Sequence, residues 1–298
     1  MKPVAALALA ALSAACVASA KEPAPRQLAQ QPPQKPAVQT SVTQQGHFVF
    51  AGELTQGGWI RGQAPAGAIS ARLDNQPLTL DPQGNFFAAF DRDAPATARL
   101  TATVLGGAVV ESVLAISPRA WPIENIDAAR RPGGVPTDAF LAMRQPELAR
   151  IAAARAIDSG SQGWRQNFIQ PVPGRISGRF GAQRVYRGEP GAYHSGMDIA
   201  GGAGTPYVAP ADGVVVLAAA QPFTLEGHLV IIDHGQGLNS SFLHASEILV
   251  HEGDVVKQGQ VIGRVGATGR ATGPHLHWSI KWRDARLDPL LFLHIPQP

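Results

Sequence analysis

Five side chains in the C-terminal half of this 298-residue chain have types and spacing that could support metal chemistry. His194 and Asp198 lie in the segment HSGMD, His275 and His277 lie in PHLHW, and His244 lies between them in SFLHAS. Histidine and aspartate are zinc ligands, and three of these residues suit the coordination of one zinc ion. A site with three protein ligands keeps a fourth position open for a reactive water. The pattern therefore predicts a metallohydrolase.

The spacing of these residues predicts which side chains share a face. Residues i and i+2 of a β-strand point to the same side, so His275 and His277 in the run HLHWSIKW should enter one cleft, while Leu276 enters the core. His194 and Asp198 are four positions apart, but the glycines around them disfavour a helix. A bend must then bring them together. Each motif alone is weak, and the ordered combination with a third histidine is what predicts a metal site.

A hydrolase also needs a proton acceptor, and the sequence has no H-E-x-x-H motif to supply a glutamate. A histidine must then take the proton, which suits an imidazole with a pKa of about 6.5. The remaining histidines are interpreted as structural, because His228, His234 and His251 lie next to or near glycines at predicted strand ends. Asp212 and Asp233 are interpreted in the same way, as turn and surface residues.

The elements that must position these residues are mainly β. From His47 to about Ile116, seven strand-like runs alternate with Gly, Pro, Asn and Asp, which predicts a small antiparallel sandwich of immunoglobulin-like kind. From Phe168 onward, Val- and Ile-rich runs are bounded by glycines, and no helix is expected there. The predicted organisation is a signal peptide at 1–20, a Pro- and Gln-rich disordered tether at 21–45, a β-sandwich domain at 46–118, a linker with a helix at 119–163, and a second β domain at 164–298.

The helix in the linker is predicted from its cap and its periodicity. Thr137 is placed to cap a helix that ends near Ile157. Apolar residues recur at roughly helical spacing, at Phe140, Leu141, Leu148 and Ile151. Such a face should be buried against one of the two domains. We expect the helix to brace the two domains, and inhibition of the histidine-lined cleft is the alternative role.

The first twenty residues predict export. A positive start, an apolar stretch from Val4 to Ala15 that is too short to span a bilayer, and an A-x-A site at residues 18–20 together indicate a signal peptide. Lipid attachment at Cys16 is the alternative, but Leu12 lies one residue too far from that cysteine for a lipoprotein signal. Cys16 is the only cysteine, so cleavage after Ala20 leaves no disulfide. We predict a periplasmic protein whose mature chain has no transmembrane segment.

The charge and composition of the chain limit the kinds of partner that it is expected to bind. The formal charge is +3 and the pI is about 9.3, but no dense Lys/Arg run or basic–aromatic stripe is present, which excludes nucleic acid as a predicted partner. The chain contains 32 glycines and 25 prolines with only 6% aromatic residues, and this balance suits turn-rich β structure.

The C-terminal motifs and their glycine framework resemble the lysostaphin/LytM-type zinc metallopeptidases (duplicated hybrid motif), which cut peptides in bacterial cell walls. The resemblance covers about residues 168–295, including FGAQRVYRGEPGAYHSGMDIAGG and VIGRVGATGRATGPHLHW. It implies a twisted antiparallel β fold and one zinc ion per chain, with the ligands His194, Asp198 and His277. It also implies an unligated pair that activates water and stabilises charge, His275 and His244.

Within the unligated pair, we assign His275 as the general base and His244 to the charge that develops on the tetrahedral oxygen, although the two roles could be exchanged or shared. The family usually has a tyrosine two residues before the second of these histidines, where this chain has Phe242.

These observations predict an exported zinc endopeptidase that hydrolyses peptide cross-links of bacterial peptidoglycan. The first domain would position the enzyme or bind a cell-wall or divisome protein. The alternative from another class is a non-catalytic LytM-type regulator that activates a cell-wall amidase, which the retained histidines and the lack of heptads disfavour. A third interpretation takes GDVVKQGQVIG as a lipoyl- or biotin-carrier hairpin, but it leaves the histidines unexplained.

Overall fold

The computed structural model describes residues 46–127 and 137–293. These residues are mainly β, in sheets that are almost entirely antiparallel, as the sequence predicts. The predicted signal peptide, Cys16, the tether at 21–45 and residues 128–136 of the predicted linker lie outside the described ranges. Within those ranges, no helix is both long enough and apolar enough to cross a membrane.

The first part of the chain forms two antiparallel sheets from seven strands. The strands are β1 (Val49–Gly52), β2 (Trp59–Gln63), β3 (Ala68–Leu73), β4 (Gln76–Leu78), β5 (Asn85–Ala89), β6 (Thr97–Val104) and β7 (Val109–Ala115). One sheet has the order β1-β2-β5 and the other β4-β3-β6-β7. Along β6, Ala98, Leu100 and Ala102 are buried and alternate with more exposed residues, as one-sided burial requires. The antiparallel β character is confirmed, and the immunoglobulin-like arrangement stays a prediction.

The rest of the chain contributes fourteen short strands in the described ranges. They are β8 (Ile123–Ile126), β9 (Ile176–Gly178), β10 (Gln183–Tyr186), β11 (Glu189–Pro190), β12 (Met197–Ile199), β13 (Pro206–Val208), β14 (Gly213–Ala218), β15 (His228–Asp233), β16 (Leu238–Ala245), β17 (Glu247–Ile248), β18 (Val255–Val256), β19 (Val261–Arg264), β20 (Leu276–Trp282) and β21 (Ala285–Leu287). The main sheet has the order β18-β14-β15-β16-β20-β12-β9, and β21 also pairs with β20. A smaller sheet has the order β13-β19-β17.

Strand β8 lies inside the segment predicted as a linker. It pairs in parallel with β10, in register Gln183–Ile123 through Tyr186–Ile126, and β11 completes this three-stranded sheet. One hydrophobic core includes residues from before and after this segment. For example, Trp59 of β2 stacks on Phe292, with ring centroids 5.1 Å apart. The two parts of the chain therefore share buried apolar surface.

A short helix, α2, spans Leu290–Leu293, where the sequence suggested only β structure. The Oδ1 atom of Asp288 accepts a hydrogen bond from the backbone N–H of Leu290 at 3.0 Å, and Pro289 follows Asp288 directly. An aspartate cap with proline in the first position is a strong local start signal, so a single helical turn forms here.

Helix α1 spans Asp138–Arg155 and is capped as predicted, since the Oγ1 atom of Thr137 accepts a hydrogen bond at 3.1 Å from the backbone N–H three residues later. The predicted apolar face is only partly correct. Ile151 is buried, whereas Leu141 and Leu148 are 39% and 43% exposed.

Two different contacts hold α1 against the main sheet. Near its C-terminal end, Ile151 and Ala154 pack with Leu217 of β14 and other apolar residues of β14 and β15. Near its middle, the guanidinium of Arg144 forms two hydrogen bonds to the carboxylate of Glu226, at 2.6 and 2.7 Å. A polar anchor therefore takes the place of apolar burial there, which explains why the two leucines are not needed for docking.

His234 and Asp233 lie at a turn, as expected, and both are fully buried. The prediction that Asp233 lies at the surface is therefore wrong. The His234 ring donates from Nδ1 to the carbonyl of Asp212 at 2.8 Å, and its Nε2 accepts from the hydroxyl of Ser240 at 2.8 Å. The Ser240 oxygen in turn accepts from the indole N–H of Trp278 at 3.2 Å. This network fixes a neutral imidazole beneath the sheet, and burial lowers the pKa of His234 to about 4.

The buried His234 should make the fold sensitive to acid. An unfolded histidine binds a proton below a pH of about 6.5, whereas the folded one resists protonation down to about 4. The stability that His234 contributes is therefore complete above the unfolded pKa. This contribution to the free energy of unfolding decreases as the pH falls through 6.5, and about 3 kcal/mol of it is lost at pH 4. Below pH 4 the loss levels off, because both the folded and the unfolded histidine are then protonated. Urea unfolding should show that the free energy of unfolding of the wild type falls between pH 7 and pH 4. His234→Gln should remove most of the part of this fall that His234 causes, and an equal fall in the variant would contradict the prediction.

Candidate metal centre

Asp198 and His277 face each other across two neighbouring strands. In the antiparallel pairing of β12 with β20, Asp198 lies opposite His277, and the residues on either side of Asp198, Met197 and Ile199, are fully buried. Because alternate residues of a strand point to opposite faces, Asp198 and His277 both project away from the core. Leu276 is fully buried, as the spacing of the H-x-H motif predicts.

His194 reaches the same place from the loop before β12. Its backbone N–H donates to the carbonyl of Ala182 at 2.8 Å, and its carbonyl accepts from the N–H of Gly181 at 2.9 Å. The ring Nδ1 lies 3.0 Å from the carbonyl of Arg179 and must donate to it, since a carbonyl can only accept. This arrangement directs Nε2 to within 3.0 Å of Asp198 Oδ1, so the bend expected from the sequence is present.

The three donor atoms form a compact cluster. Asp198 Oδ1 is 3.0 Å from His194 Nε2 and 2.8 Å from His277 Nδ1, and the two ring nitrogens are 3.1 Å apart. Two imidazoles and one carboxylate form the donor set of several catalytic zinc sites. The set also lacks the many oxygen ligands that calcium or magnesium prefer. His194, Asp198 and His277 therefore fit a zinc ion, both in the chemical type of their donor atoms and in how closely these atoms approach one another.

The electrostatics of the cluster favour positive charge. Burial alone would raise the pKa of Asp198, but hydrogen bonds from His194 and His277 hold it well below its usual range. Burial lowers the pKa of His277. Burial also opposes the charged form of His194, but the hydrogen bond and the charge of Asp198 outweigh it and raise the pKa of His194. A site that stabilises a proton between its donors can exchange that proton for a cation.

Two glycines make room for the cluster. An added Cβ at Gly178, on β9, would lie 2.3 Å from Asp198 Oδ2. At Gly196 it would lie 2.6 Å from His277 Nε2. Contacts this short are not tolerated, so both positions need glycine for Asp198 and His277 to keep their places. In the sequence, Gly196 is recognisable only as one of the glycines that disfavour a helix, and no local pattern identifies Gly178.

The other two histidines lie beside the cluster, and in both the Nδ1 atom faces a backbone carbonyl. His275 donates from Nδ1 to the carbonyl of Gly273 at 2.8 Å, and His244 donates from Nδ1 to the carbonyl of Thr268 at 2.8 Å. In the neutral rings the free nitrogen is then Nε2 in both cases. His275 Nε2 lies 3.7 Å from Asp198 Oδ1, and the ring centroids of His244 and His275 are 5.0 Å apart.

His244 is held in an unusual backbone conformation. Its φ is +67°, in the left-handed region that costs a non-glycine residue about 1 kcal/mol or more. Its N–H donates to the carbonyl of Glu226 at 2.8 Å, and burial lowers the pKa of its ring. Phe242, two residues earlier, is fully buried and stacks on Tyr207, so it faces the core.

An open groove surrounds these five residues. Its further lining includes Tyr193, Ser195, Glu226, Arg270 and Thr272. The structure thus brings all five predicted site residues into one groove, in a donor cluster of three with two histidines beside it. Arg184 of β10, upstream of His194 in the sequence, is not part of this lining and is exposed, where it pairs with Glu124.

Comparison with known proteins supports a peptidase. Residues 192–289 match the model of peptidase family M23. The chain is 43% identical over 107 residues to peptidoglycan DD-endopeptidase ShyA of Vibrio cholerae, covering 36% of this chain and 24% of that protein. It is 39% identical over 127 residues to DD-carboxypeptidase/endopeptidase Mpg of Neisseria meningitidis, covering 41% of this chain and 28% of that protein. The aligned part spans about a quarter of the length of these curated relatives.

One solved structure is similar over most of the chain. It is a Pseudomonas aeruginosa protein described as a peptidase M23, with a TM-score of 0.61 and 29% identity, and the match covers 81% of this chain and 95% of that chain. The similarity therefore includes the N-terminal sheets as well as the groove. The family match falls on the segment that carries the His–Asp–His cluster, and the C-terminal domain of this chain is thus a peptidase family M23 domain of the lysostaphin/LytM type.

Proposed function

We propose that this protein is an exported zinc endopeptidase that hydrolyses peptide cross-links of bacterial peptidoglycan. The observation that carries the proposal is the donor cluster of His194, Asp198 and His277 with two further histidines at the same groove. A purely structural metal site would use all of its coordination positions, whereas a catalytic one keeps a position open. Three donors and two adjacent unligated rings suit the catalytic type.

His194, Asp198 and His277 would hold the ion. A zinc ion bound there would act as a Lewis acid on a scissile carbonyl and lower the pKa of water. The carboxylate of Asp198 balances part of the positive charge, and the carbonyl of Arg179 fixes the His194 ring so that Nε2 is available. Such outer hydrogen bonds to ligand rings hold the correct tautomer in place.

His275 and His244 would handle the proton. With Nδ1–H bonded to a backbone carbonyl, each neutral ring presents an unprotonated Nε2 that can accept a proton from water at the groove. A ring that has accepted the proton becomes an Nε2–H donor, which can then stabilise negative charge or protonate the leaving amine. We assign His275 as the base and His244 as the partner, and the matching tautomers would also allow the roles to be shared.

The names of the relatives indicate the substrate class. ShyA is named a peptidoglycan DD-endopeptidase, and Mpg a DD-carboxypeptidase/endopeptidase. A cross-linked peptide is an extended chain that fits an open groove better than a closed pocket. The signal-peptide pattern at residues 1–20 would bring the enzyme to that polymer in the periplasm. The N-terminal sandwich would position it on the wall or bind a wall or divisome protein.

The test is digestion of purified peptidoglycan from several bacteria by the full chain loaded with zinc, with mass analysis of the released muropeptides. We expect cross-linked dimers to be converted to monomers by addition of water at a peptide bond. Chelation and the His275→Ala variant should both prevent the conversion. If the zinc-loaded protein released nothing, yet stimulated a purified cell-wall amidase, the regulator role would replace the proposal.

A further inference from the structure

A second pocket continues from the metal centre along β20. His277, Ser279 and Lys281 occupy alternate positions of this strand and are partly exposed, while Trp278 and Ile280 between them are fully buried. All three therefore project from the same face. Since a strand rises about 3.3 Å per residue, Lys281 lies roughly 13 Å from the metal ligand His277 along this face. The pocket and the catalytic groove share His277, Ser195 and Glu226 in their lining.

Positive charge dominates the lining of this pocket. Arg144 and Arg155 reach it from helix α1, and Lys281 and Arg286 reach it from β20 and β21. The one carboxylate in the lining, Glu226, is already engaged by both prongs of Arg144. Hydroxyl groups complete the surface, because Ser241 of β16 lies directly opposite Ser279 of β20.

The carboxylates near Arg155 and Arg286 already have partners. Glu226, whose charge acts on Arg155, is bound by Arg144, and Asp91 accepts a hydrogen bond from the backbone N–H of Arg286. Arg155 donates from Nη2 to the hydroxyl of Ser241 at 3.2 Å, but its Nε is buried and has no hydrogen-bond partner. Lys281 pairs at 3.6 Å with Asp284, whose side chain is 99% exposed. Burial, followed by the charge of Arg286, lowers the pKa of Arg155, and burial together with the charge of Arg155 lowers the pKa of Lys281. Gathering like charges in a partly buried pocket is unfavourable unless an anion is bound there.

We propose that this pocket is a specificity subsite that binds a free carboxylate of the substrate peptide, through Arg155 and Lys281 with the hydroxyls of Ser241 and Ser279. The inference rests on the proposed peptidase function. A guanidinium and an ammonium with adjacent hydroxyls match the acceptor geometry of a carboxylate. An extended peptide covers about 3.3–3.6 Å per residue, which places the recognised carboxylate roughly two to four residues from the bond at the metal centre.

The experiment compares two synthetic cross-linked peptides that differ only in one group, a free carboxylate or the corresponding carboxamide, placed two to four residues from the scissile bond. The variants are Arg155→Gln and Lys281→Gln in the zinc-loaded full chain. The matched control is Arg150→Gln, which removes one positive charge from an exposed position of the same helix, where Arg150 pairs with Glu252. Zinc content and circular dichroism establish that each variant is folded. Lys281, on the partly exposed side of β20, tests the pocket without touching the core.

Loss of one charge-assisted hydrogen bond should raise KM for the carboxylate peptide about tenfold or more. KM for the carboxamide peptide and all kcat values should change little, and Arg150→Gln should behave as wild type on both peptides. Equal effects of Arg155→Gln and Lys281→Gln on the two peptides would overturn the subsite. So would a wild-type protein that does not distinguish the peptides.

Direct binding separates failure of the subsite from failure of the proposed function. If the wild-type protein cleaved neither peptide, the peptidase proposal would fail, and calorimetric titration with the same two peptides would still test the pocket. Tighter binding of the carboxylate form, lost in Lys281→Gln but kept in Arg150→Gln, would support the subsite. Equal affinity for both forms would overturn it.

Discussion

Replacement of Asp198 with alanine should empty the metal centre and abolish hydrolysis. Asp198 supplies the only negative charge of the donor cluster and accepts hydrogen bonds from both ligand rings. Without it, two imidazoles remain, and the loss of metal affinity should exceed the roughly 10- to 100-fold that follows removal of an outer-shell partner. Elemental analysis after dialysis should find little zinc in Asp198→Ala, while one ion per chain remains in the wild type. Full zinc occupancy in the variant would refute the ligand assignment.

A second test of the metal centre changes Gly178, which displaces the Asp198 carboxylate without removing it. The methyl group of Gly178→Ala would contact Asp198 Oδ2 at 2.3 Å unless the carboxylate moved, so metal retention should weaken although every ligand is still present. Gly202→Ala is the matched control, because its nearest contact would be an ordinary 3.6 Å to Thr205 Oγ1. Equal zinc retention in the two variants would show that the position of the carboxylate is not critical.

The unligated histidines should show the opposite pattern, with zinc retained and turnover lost. His275→Ala and His244→Ala remove rings whose Nε2 atoms are outside the donor cluster, so each variant should keep its metal and its fold. Each should lose roughly a hundredfold or more in kcat, the typical contribution of a positioned acid–base or charge-stabilising group. The control is His251→Ala, since the His251 side chain is 92% exposed.

Turnover would be measured on a cross-linked peptide with each protein loaded with zinc to the same occupancy. A variant that kept near-wild-type turnover would identify that histidine as a bystander. Loss of zinc together with turnover would instead make the residue a ligand, and the division of the five residues into three ligands and an unligated pair would be wrong.

Much of the site could be predicted because the relevant signals are local. Strand alternation is enough to place His275 and His277 on one side and Leu276 in the core. The glycines around His194 exclude a helix, so only a bend could bring it to Asp198. Thr137 likewise caps α1 through a contact that spans three residues. Periodicity was less reliable for the face of α1, because the Arg144–Glu226 pair, 82 residues apart in sequence, anchors the helix without Leu141 and Leu148.

The chemical types of the site residues, their order and their strand faces can be read from the amino-acid sequence, because they follow from rules that act over a few residues. Which distant groups meet depends on the packing of the folded chain. Gly178 limits the space of Asp198, the carbonyl of Thr268 orients His244, and Arg155 on a helix faces Lys281 on a strand. This packing also buries Asp233, which the local pattern assigned to a turn at the surface. Packing brings such groups together across long sequence separations, and no local periodicity encodes which glycine, carbonyl or charge will be the neighbour.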